Sequence, residues 1–233
     1  MEVRRRSSNP IMAFEAIVIC RGASMQDKLI AAFSQVGVMQ PLGEHSKASS
    51  MGACHNFTIE WVSFMLEDKG LVSDAAAAKR MNKLSARRGA GNPVLQKVFS
   101  QRWAEGGQSY TMADGMMISL RGMKEVDLTI PYEPFDQKKL LTQIKTPKAA
   151  GFVYSFWFKG SVVGASGGAH TIGFFRPVAG SGGSLKPSGD YVSAFDPNFG
   201  EYYVPALEFN YWLNKFKDSY GKFTNQMLKF VTK

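Results

Sequence analysis

Four short aromatic stretches in the second half of the chain constrain its fold more than any other feature. Each is rich in aromatic and β-branched residues, and glycine or proline punctuates the sequence around it, a pattern typical of consecutive antiparallel strands. The stretches are "GFVYSFWF" (151–158), "GAHTIGFF" (168–175), "DYVSAF" (190–195) and "EYYVP" (201–205). A helix is expected to close this sheet, because Pro205 suits a first turn and apolar residues follow at helical spacing, at Phe209, Trp212, Leu213 and Phe216.

The first half of the chain is expected to be mainly helical. A short strand is predicted at 14–20, and a helix at 25–36 from the spacing of its apolar residues, Leu29, Ile30 and Phe33. The Ala-rich stretch 73–89 begins with a Ser or Asp cap and ends at a glycine, which predicts a helix. A further helix is predicted at about 93–104, where a proline occupies the first turn.

These elements predict an α+β protein with one domain. The chain has 233 residues, 45% of them hydrophobic, which is enough to bury a substantial core. We expect a single domain over 14–233, with a helical part at about 14–145 and an antiparallel sheet part at about 150–233. Residues 1–13 are expected to form a disordered basic leader.

Composition excludes several classes of protein. Two cysteines, Cys20 and Cys54, allow at most one disulfide, so the chain is not a disulfide-built secreted scaffold. No apolar run approaches the roughly 20 residues of a membrane span, and the basic N-terminus lacks the apolar core of a Sec signal peptide. No zinc-finger, RRM or basic-helix motif is present, so we expect no nucleic-acid partner.

Cys54 is the candidate nucleophile, because the loop "SSMGA" delivers it to the predicted start of a helix. That helix would bury one stripe, formed by Phe57, Trp61, Phe64 and Met65. A helix N-terminus stabilises the thiolate, which is the reactive form of cysteine. The alternative is a small buried residue without chemistry, which free cysteine often is.

His170 is the candidate general base among three histidines. His55 follows Cys54 directly and on a helix points about 100° away from it, so we do not expect these two to pair. His45 lies in a polar loop, where a solvated role is the default. His170 lies within a predicted strand beside glycines, although a buried core histidine is the alternative for such a position.

Asp196 is the candidate partner of His170. It ends the predicted strand "YVSAF", and Pro197 then turns the chain, so its carboxylate suits the imidazole N–H and would hold the ring tautomer. Asp-Pro-Asn is also an ordinary turn signal. An early cysteine followed, after 116 and then 26 residues, by His and Asp from a sheet is the chain order of papain-like thiol enzymes. The set therefore predicts a catalytic triad.

Three motifs resemble the YopT/AvrPphB family of bacterial effector cysteine proteases: "GAC" at a helix start, "GGAHTIGF" and "FDPNFGEYY". The resemblance covers roughly residues 45 to 215. It implies a papain-like fold, Cys54 as nucleophile, His170 as general base and acid, and Asp196 as orienting residue. It also implies that the chain needs no cofactor or metal, leaves the bacterial cytoplasm without a Sec signal, and cleaves a protein inside host cells or at their membranes.

The oxyanion hole departs from the pattern of papain-like enzymes, which usually place a side-chain amide just upstream of the cysteine. Residues 44–53, "EHSKASSMGA", contain neither Asn nor Gln, and the nearest amide in the sequence is Gln40. The backbone N–H of Cys54 is one expected donor. Ser49, Ser50 or Lys47 is the predicted source of the second donor.

The net charge of +9 favours acidic partners. Lys79, Lys83 and Arg87 follow one another at four-residue spacing, with Arg80 and Arg88 beside them, which predicts a basic stripe on one helix. The stripe is either a solvated helix face or a docking surface for an acidic protein or anionic membrane. We expect a monomer whose target is neutral or acidic around the cleavage site.

The sequence thus favours a thiol endopeptidase that forms an acyl-enzyme on Cys54. Two alternatives stay open. A papain-like acyltransferase, deamidase or transglutaminase would use the same three residues with another acceptor. A catalytically weak module would instead bind partners through its basic surface.

Overall fold

The computed structural model describes residues 28–39, 53–86, 109–145, 151–159, 168–177 and 191–233. The strands are β1 (Leu29–Ala32), β2 (Lys124–Pro134), β3 (Gly151–Lys159), β4 (Gly168–Phe175), β5 (Tyr191–Asp196), β6 (Gly200–Pro205) and β7 (Lys222–Thr232). The helices of this part of the chain are α1 (Gln35–Met39), α2 (Cys54–Glu67), α3 (Asp74–Ala86), α4 (Ser109–Leu120), α5 (Gln137–Lys145) and α6 (Phe209–Tyr220).

The seven strands form one antiparallel sheet in the order β1-β6-β5-β4-β3-β7-β2. Its centre consists of the aromatic strands that the sequence predicts, so the mixed helical and antiparallel architecture is confirmed. Both edge strands, however, come from the part at about 14–145 that was expected to be helical. The predicted strand at 14–20 and helix at 93–104 lie outside the described residues.

The predicted helix at 25–36 is wrong. Leu29–Ala32 is a strand that pairs with β6, and a helix of five residues begins only at Gln35. A short apolar run does not distinguish a strand from a helix by its spacing alone, and here pairing with β6 decides. Gly200 permits the close approach of the two strands, because it has φ of 129° and a side chain there would meet the backbone of Ala31.

Helix α2 is buried along most of its length against one face of the sheet. Every residue from Cys54 to Met65 is buried, and its apolar side chains pack with Val153, Phe175 and Phe195. Gly173 of β4 allows this contact, because a Cβ atom there would lie 2.7 Å from the ring of Trp61. Helix α6 covers the opposite face through the predicted apolar stripe, Phe209, Trp212, Leu213 and Phe216.

Helix α3 confirms the helix predicted at 73–89 as far as Ala86, and Ser73 caps it by accepting the backbone N–H of Ala76 at 3.1 Å. Gly89 lies outside the described residues. The described helices include none long and apolar enough to cross a bilayer.

Candidate active site

Cys54 is the first residue of α2, and its side chain is 9% exposed. The first N–H groups of a helix have no intrahelical acceptor, so the positive end of α2 lies at the thiol. The sulfur also interacts with two groups of β4: the imidazole of His170 and the backbone of Thr171, each through a hydrogen bond. The thiol therefore lies where the helix begins and β4 passes it.

His170 and Asp196 meet in a gap between neighbouring strands. Strands β4 and β5 pair only at Gly173–Phe175, so they diverge before His170 is reached. His170 Nε2 lies 2.9 Å from Asp196 Oδ1 in this gap, and both residues are buried. Because Nε2 is engaged by the carboxylate, Nδ1 is the ring nitrogen that remains for Cys54. The structure thus brings the three predicted residues into one buried site.

The surroundings of Cys54 favour its thiolate. Burial alone would raise the pKa of Cys54, but the positive charge and hydrogen bond of His170 and the hydrogen bond from the Thr171 backbone oppose burial. The negative charge of Asp196 acts against the thiolate, but it is the smallest of these effects. The net result is a pKa of Cys54 below its ordinary value of 9.0.

The surroundings of His170 favour its protonated form. Burial alone would lower the pKa of His170, yet the charges of Asp196 and Cys54, and hydrogen bonds to both, raise it to about 10. Each partner therefore stabilises the charge of the other. The interaction of the two groups therefore favours the thiolate–imidazolium form of the pair over the neutral form more than either residue would alone.

Asp196 accepts two further hydrogen bonds. Its Oδ1 accepts the backbone N–H of Asn198 at 2.8 Å, in the turn that Pro197 begins. Its Oδ2 accepts the hydroxyl of Tyr220 at 2.6 Å, and the Tyr220 ring stacks on His170 with centroids 5.0 Å apart. Both oxygens of the buried carboxylate are therefore hydrogen bonded, as a buried charge requires.

Gln35 is the side-chain amide that lies next to the start of α2. Its Oε1 accepts the backbone N–H of Ala53 at 2.8 Å, and its Nε2 donates to Asn198 Oδ1 at 2.6 Å. The predicted oxyanion residues, Ser49, Ser50 and Lys47, lie outside the described residues, as does Gln40. Gln35 precedes Ala53 by 18 residues, so only the tertiary fold reveals it.

His55 belongs to a different buried cluster, as its direction on the helix predicts. Its Nε2 lies 2.6 Å from Asp114 of α4, and Lys229 of β7 lies 3.5 Å from the other oxygen of that carboxylate. These buried polar groups join α4 and β7 to the helix that carries Cys54. His45 lies outside the described residues.

The predicted basic stripe requires one correction, because Arg80 is fully buried. Its guanidinium binds Glu201 through Nε at 2.9 Å and Nη2 at 2.5 Å, and it also binds Asp68 at 3.1 Å. Arg80 therefore joins α3 to β6 and offers no charge to a partner. Lys79 is exposed, and Lys83 lies over the ring of Phe64. Arg87 and Arg88 lie outside the described residues.

No group of three His, Cys, Asp or Glu side chains suited to a metal ion occurs in the part of the chain that the structure describes. The site consists instead of a thiol, an imidazole and a carboxylate, a set that can perform nucleophilic and acid–base chemistry.

Three residues beside the site were not predicted from the sequence: Gln35, Asn198 and Tyr220. Asn198 lies inside the motif "FDPNFGEYY" but has no role in the predicted triad. Tyr220 extends the apolar stripe of α6 by one turn beyond Phe216. A tyrosine at the end of an otherwise apolar stripe is a usable signal, since a buried hydroxyl requires a hydrogen-bond partner.

The chain is similar to a known protein in its fold, but no match is found in its sequence. No protein-family model and no curated protein sequence matches the chain. Among solved structures, the fold is similar to that of the Pseudomonas avirulence protein AvrPphB, with a TM-score of 0.55 and 14% sequence identity. The alignment covers 88% of this chain and 99% of the AvrPphB chain. The fold of this chain, with helices packed on an antiparallel sheet, is thus similar to that of a bacterial avirulence protein.

Proposed function

We propose that the protein is a papain-like thiol endopeptidase of the bacterial effector type, with Cys54, His170 and Asp196 as its catalytic residues. One observation carries the proposal: the buried thiol at the start of α2 shares a hydrogen bond with an imidazole whose Nε2 lies 2.9 Å from a buried carboxylate. The fold likeness to AvrPphB supports the same reading, because the sequence motifs resemble the family that carries that name.

In the proposed mechanism, the Cys54 thiolate attacks the carbonyl carbon of a peptide bond, and the carbonyl electron pair moves onto oxygen. The His170 imidazolium gives its Nδ1 proton to the leaving nitrogen as the C–N bond breaks, which leaves a thioester on Cys54 and a neutral imidazole. His170 then takes a proton from water, and the resulting hydroxide attacks the thioester. Collapse of this second intermediate releases the carboxylic acid and restores the thiolate.

The oxyanion that forms in both steps requires hydrogen-bond donors near the sulfur. The backbone N–H of Cys54 is the first donor, because it is the first residue of α2. Gln35 is our candidate for the second donor, since its Nε2 carries two hydrogens and Asn198 takes one of them. Ser49, Ser50 and Lys47 remain the candidates from the preceding loop.

We further propose a target that is acidic around the cleaved bond. Lys159 and Lys222 lie opposite each other at adjoining ends of β3 and β7, both exposed, and neither forms an ion pair with a described residue. Lys159 is three residues beyond Phe156, the strand partner of His170, which corresponds to roughly 10 Å. Opposed like charges cost stability, and an acidic substrate segment would offset that cost.

The test compares the wild type with Cys54→Ala after each is incubated with a eukaryotic cell lysate. New peptide N-termini are then enriched and identified by mass spectrometry. We expect N-termini that arise only with the wild type, with acidic residues enriched around the cleaved bonds. His170→Ala should abolish the same N-termini, and Tyr211→Phe, a change at an exposed residue of α6, should preserve them.

Two other outcomes would replace the proposal. Cys54-dependent mass shifts on intact target chains would identify an acyltransferase, deamidase or transglutaminase. Equal alkylation of Cys54 and Cys20 by iodoacetamide at neutral pH, together with no new N-termini, would identify a binding module without catalysis.

A further inference from the structure

A chain of side-chain hydrogen bonds connects the start of α2 to Asp196 without passing through His170. Gln35 accepts the Ala53 N–H and donates to Asn198 at 2.6 Å. The Asn198 Nδ2 donates to the Tyr220 hydroxyl at 3.0 Å, and that hydroxyl donates to Asp196 Oδ2 at 2.6 Å. The chain thus joins α1, the turn between β5 and β6, and α6 to the helix that carries the thiol.

Tyr220 contacts both members of the His–Asp pair with different parts of its side chain. The ring lies nearly parallel to the His170 imidazole, at 23° and 5.0 Å, while the hydroxyl reaches the carboxylate. The ring is itself held by the edges of Phe156 and Phe158, and the residue is 8% exposed. A phenylalanine could keep the stacking but could not donate to Asp196.

The two oxygens of the Asp196 carboxylate have different hydrogen-bond partners. Oδ1 faces His170 and the Asn198 backbone, and Oδ2 faces only Tyr220 among the described residues. The Tyr220 bond therefore fixes the rotation of the carboxylate that presents Oδ1 to the imidazole. Burial, together with the negative charge of Asp196, raises the pKa of Tyr220 well above 10.0, so the hydroxyl stays a donor throughout the working pH range.

We propose that Tyr220 is a positioning residue that orients Asp196 through its hydroxyl and His170 through its ring, with Asn198 and Gln35 holding the hydroxyl in place. This inference rests on the proposed function of the site. Small displacements of an acid–base pair are costly to catalysis, so a residue that fixes two of its members affects rate without touching substrate. The link through Gln35 also couples the start of α2 to the same carboxylate.

The test is Tyr220→Phe, assayed by the pH dependence of Cys54 alkylation with iodoacetamide, which requires no known substrate. Loss of the hydroxyl leaves more of the carboxylate charge facing His170. The alkaline limb of the alkylation rate against pH, which the deprotonation of His170 sets, should therefore move to higher pH. We expect the alkylation rate at neutral pH to fall about threefold or more, because the orientation of the His170–Asp196 pair is no longer fixed. Tyr211→Phe is the matched control, on the same helix but exposed, and should match the wild type.

A second variant separates positioning from general damage to the fold. Asn198→Ala keeps the backbone N–H that binds Asp196 but releases the Tyr220 hydroxyl. Because both changes act through one hydroxyl, the double variant should shift the alkaline limb no further than Tyr220→Phe alone. Thermal unfolding of each variant shows that it is folded under the assay conditions.

Different results would overturn the inference and the proposed function. An alkaline limb of folded Tyr220→Phe that coincides with that of the wild type would refute the positioning role, while Cys54 of the wild type still reacts much faster than Cys20. Fully additive effects of Tyr220→Phe and Asn198→Ala would also refute it. A wild-type Cys54 that reacts no faster than Cys20 would instead refute the proposed function itself.

Discussion

Replacing His170 with alanine should convert Cys54 from a thiolate into an ordinary buried thiol. The charge and hydrogen bond of His170 are the main features that oppose the effect of burial on the pKa of Cys54. Without them, burial would raise this pKa to at least its ordinary value of 9.0. The variant would therefore have less reactive anion at neutral pH.

The expected loss follows from the fraction of thiolate. A thiol with a pKa of 9.0 is about 1% ionised at pH 7, so a wild type that is largely ionised would lose up to about 100-fold in alkylation rate. A thiolate of higher pKa is intrinsically more nucleophilic, which reduces the observed loss to roughly 10- to 100-fold. The slope of the rate against pH also differs. The rate of the variant should increase tenfold for each pH unit up to about pH 9, while that of the wild type stays nearly level.

The assay is the rate of iodoacetamide labelling at Cys54, measured by peptide mass spectrometry between pH 6 and 10, with Cys20 as the internal reference. His170→Gln is the matched variant, because it keeps a polar side chain of similar size but has no charge. Both variants should lose the rate at pH 7. A His170→Ala protein that is folded, yet labels at the wild-type rate with the wild-type pH profile, would refute the reasoning.

Three further predictions concern the residues that hold the site. Asp196→Asn removes the charge that raises the pKa of His170, so the alkaline limb of Cys54 alkylation should fall from about pH 10 by one unit or more; an unmoved limb would contradict this. Glu201→Gln removes the buried carboxylate that binds Arg80 and leaves only the partly exposed Asp68 as its anion, which should lower the free energy of unfolding by about 3–5 kcal/mol in urea, whereas a loss under 1 kcal/mol would show that the pair is not buried in solution. Gly173→Ala forces β4 away from α2 and should cost about 1–3 kcal/mol by the same measurement; an unchanged midpoint would argue against the close contact.

The centre of the sheet and the candidate residues of the site are predictable from the sequence because their signals are local. The strand stretches alternate with turn residues, and Pro197 marks the end of the strand that carries Asp196. The pairing of Asp196 with His170 is also accessible, since their strands are neighbours in an antiparallel meander. Whether the three residues act as a catalytic triad stays a prediction that the experiments above test.

Other features depend on contacts between distant parts of the chain. Arg80 has the spacing of a surface residue beside Lys79, and only its partner Glu201, 121 residues away, explains its burial. Leu29–Ala32 becomes a strand because β6 pairs with it, although its spacing suits a helix. Gln35 reaches the start of α2 for the same reason, since the strand places α1 beside Ala53.

The central claim is that Cys54 and His170 form a thiolate–imidazolium pair inside the fold. An NMR titration of ¹⁵N-histidine-labelled protein tests it most directly, with the signals assigned through His45→Ala and His55→Ala. We predict that His170 remains protonated at neutral pH with a pKa near 10, and that this pKa falls in Cys54→Ala, because the thiolate charge is lost. A His170 pKa near the ordinary 6.5 that is the same in Cys54→Ala would contradict the account.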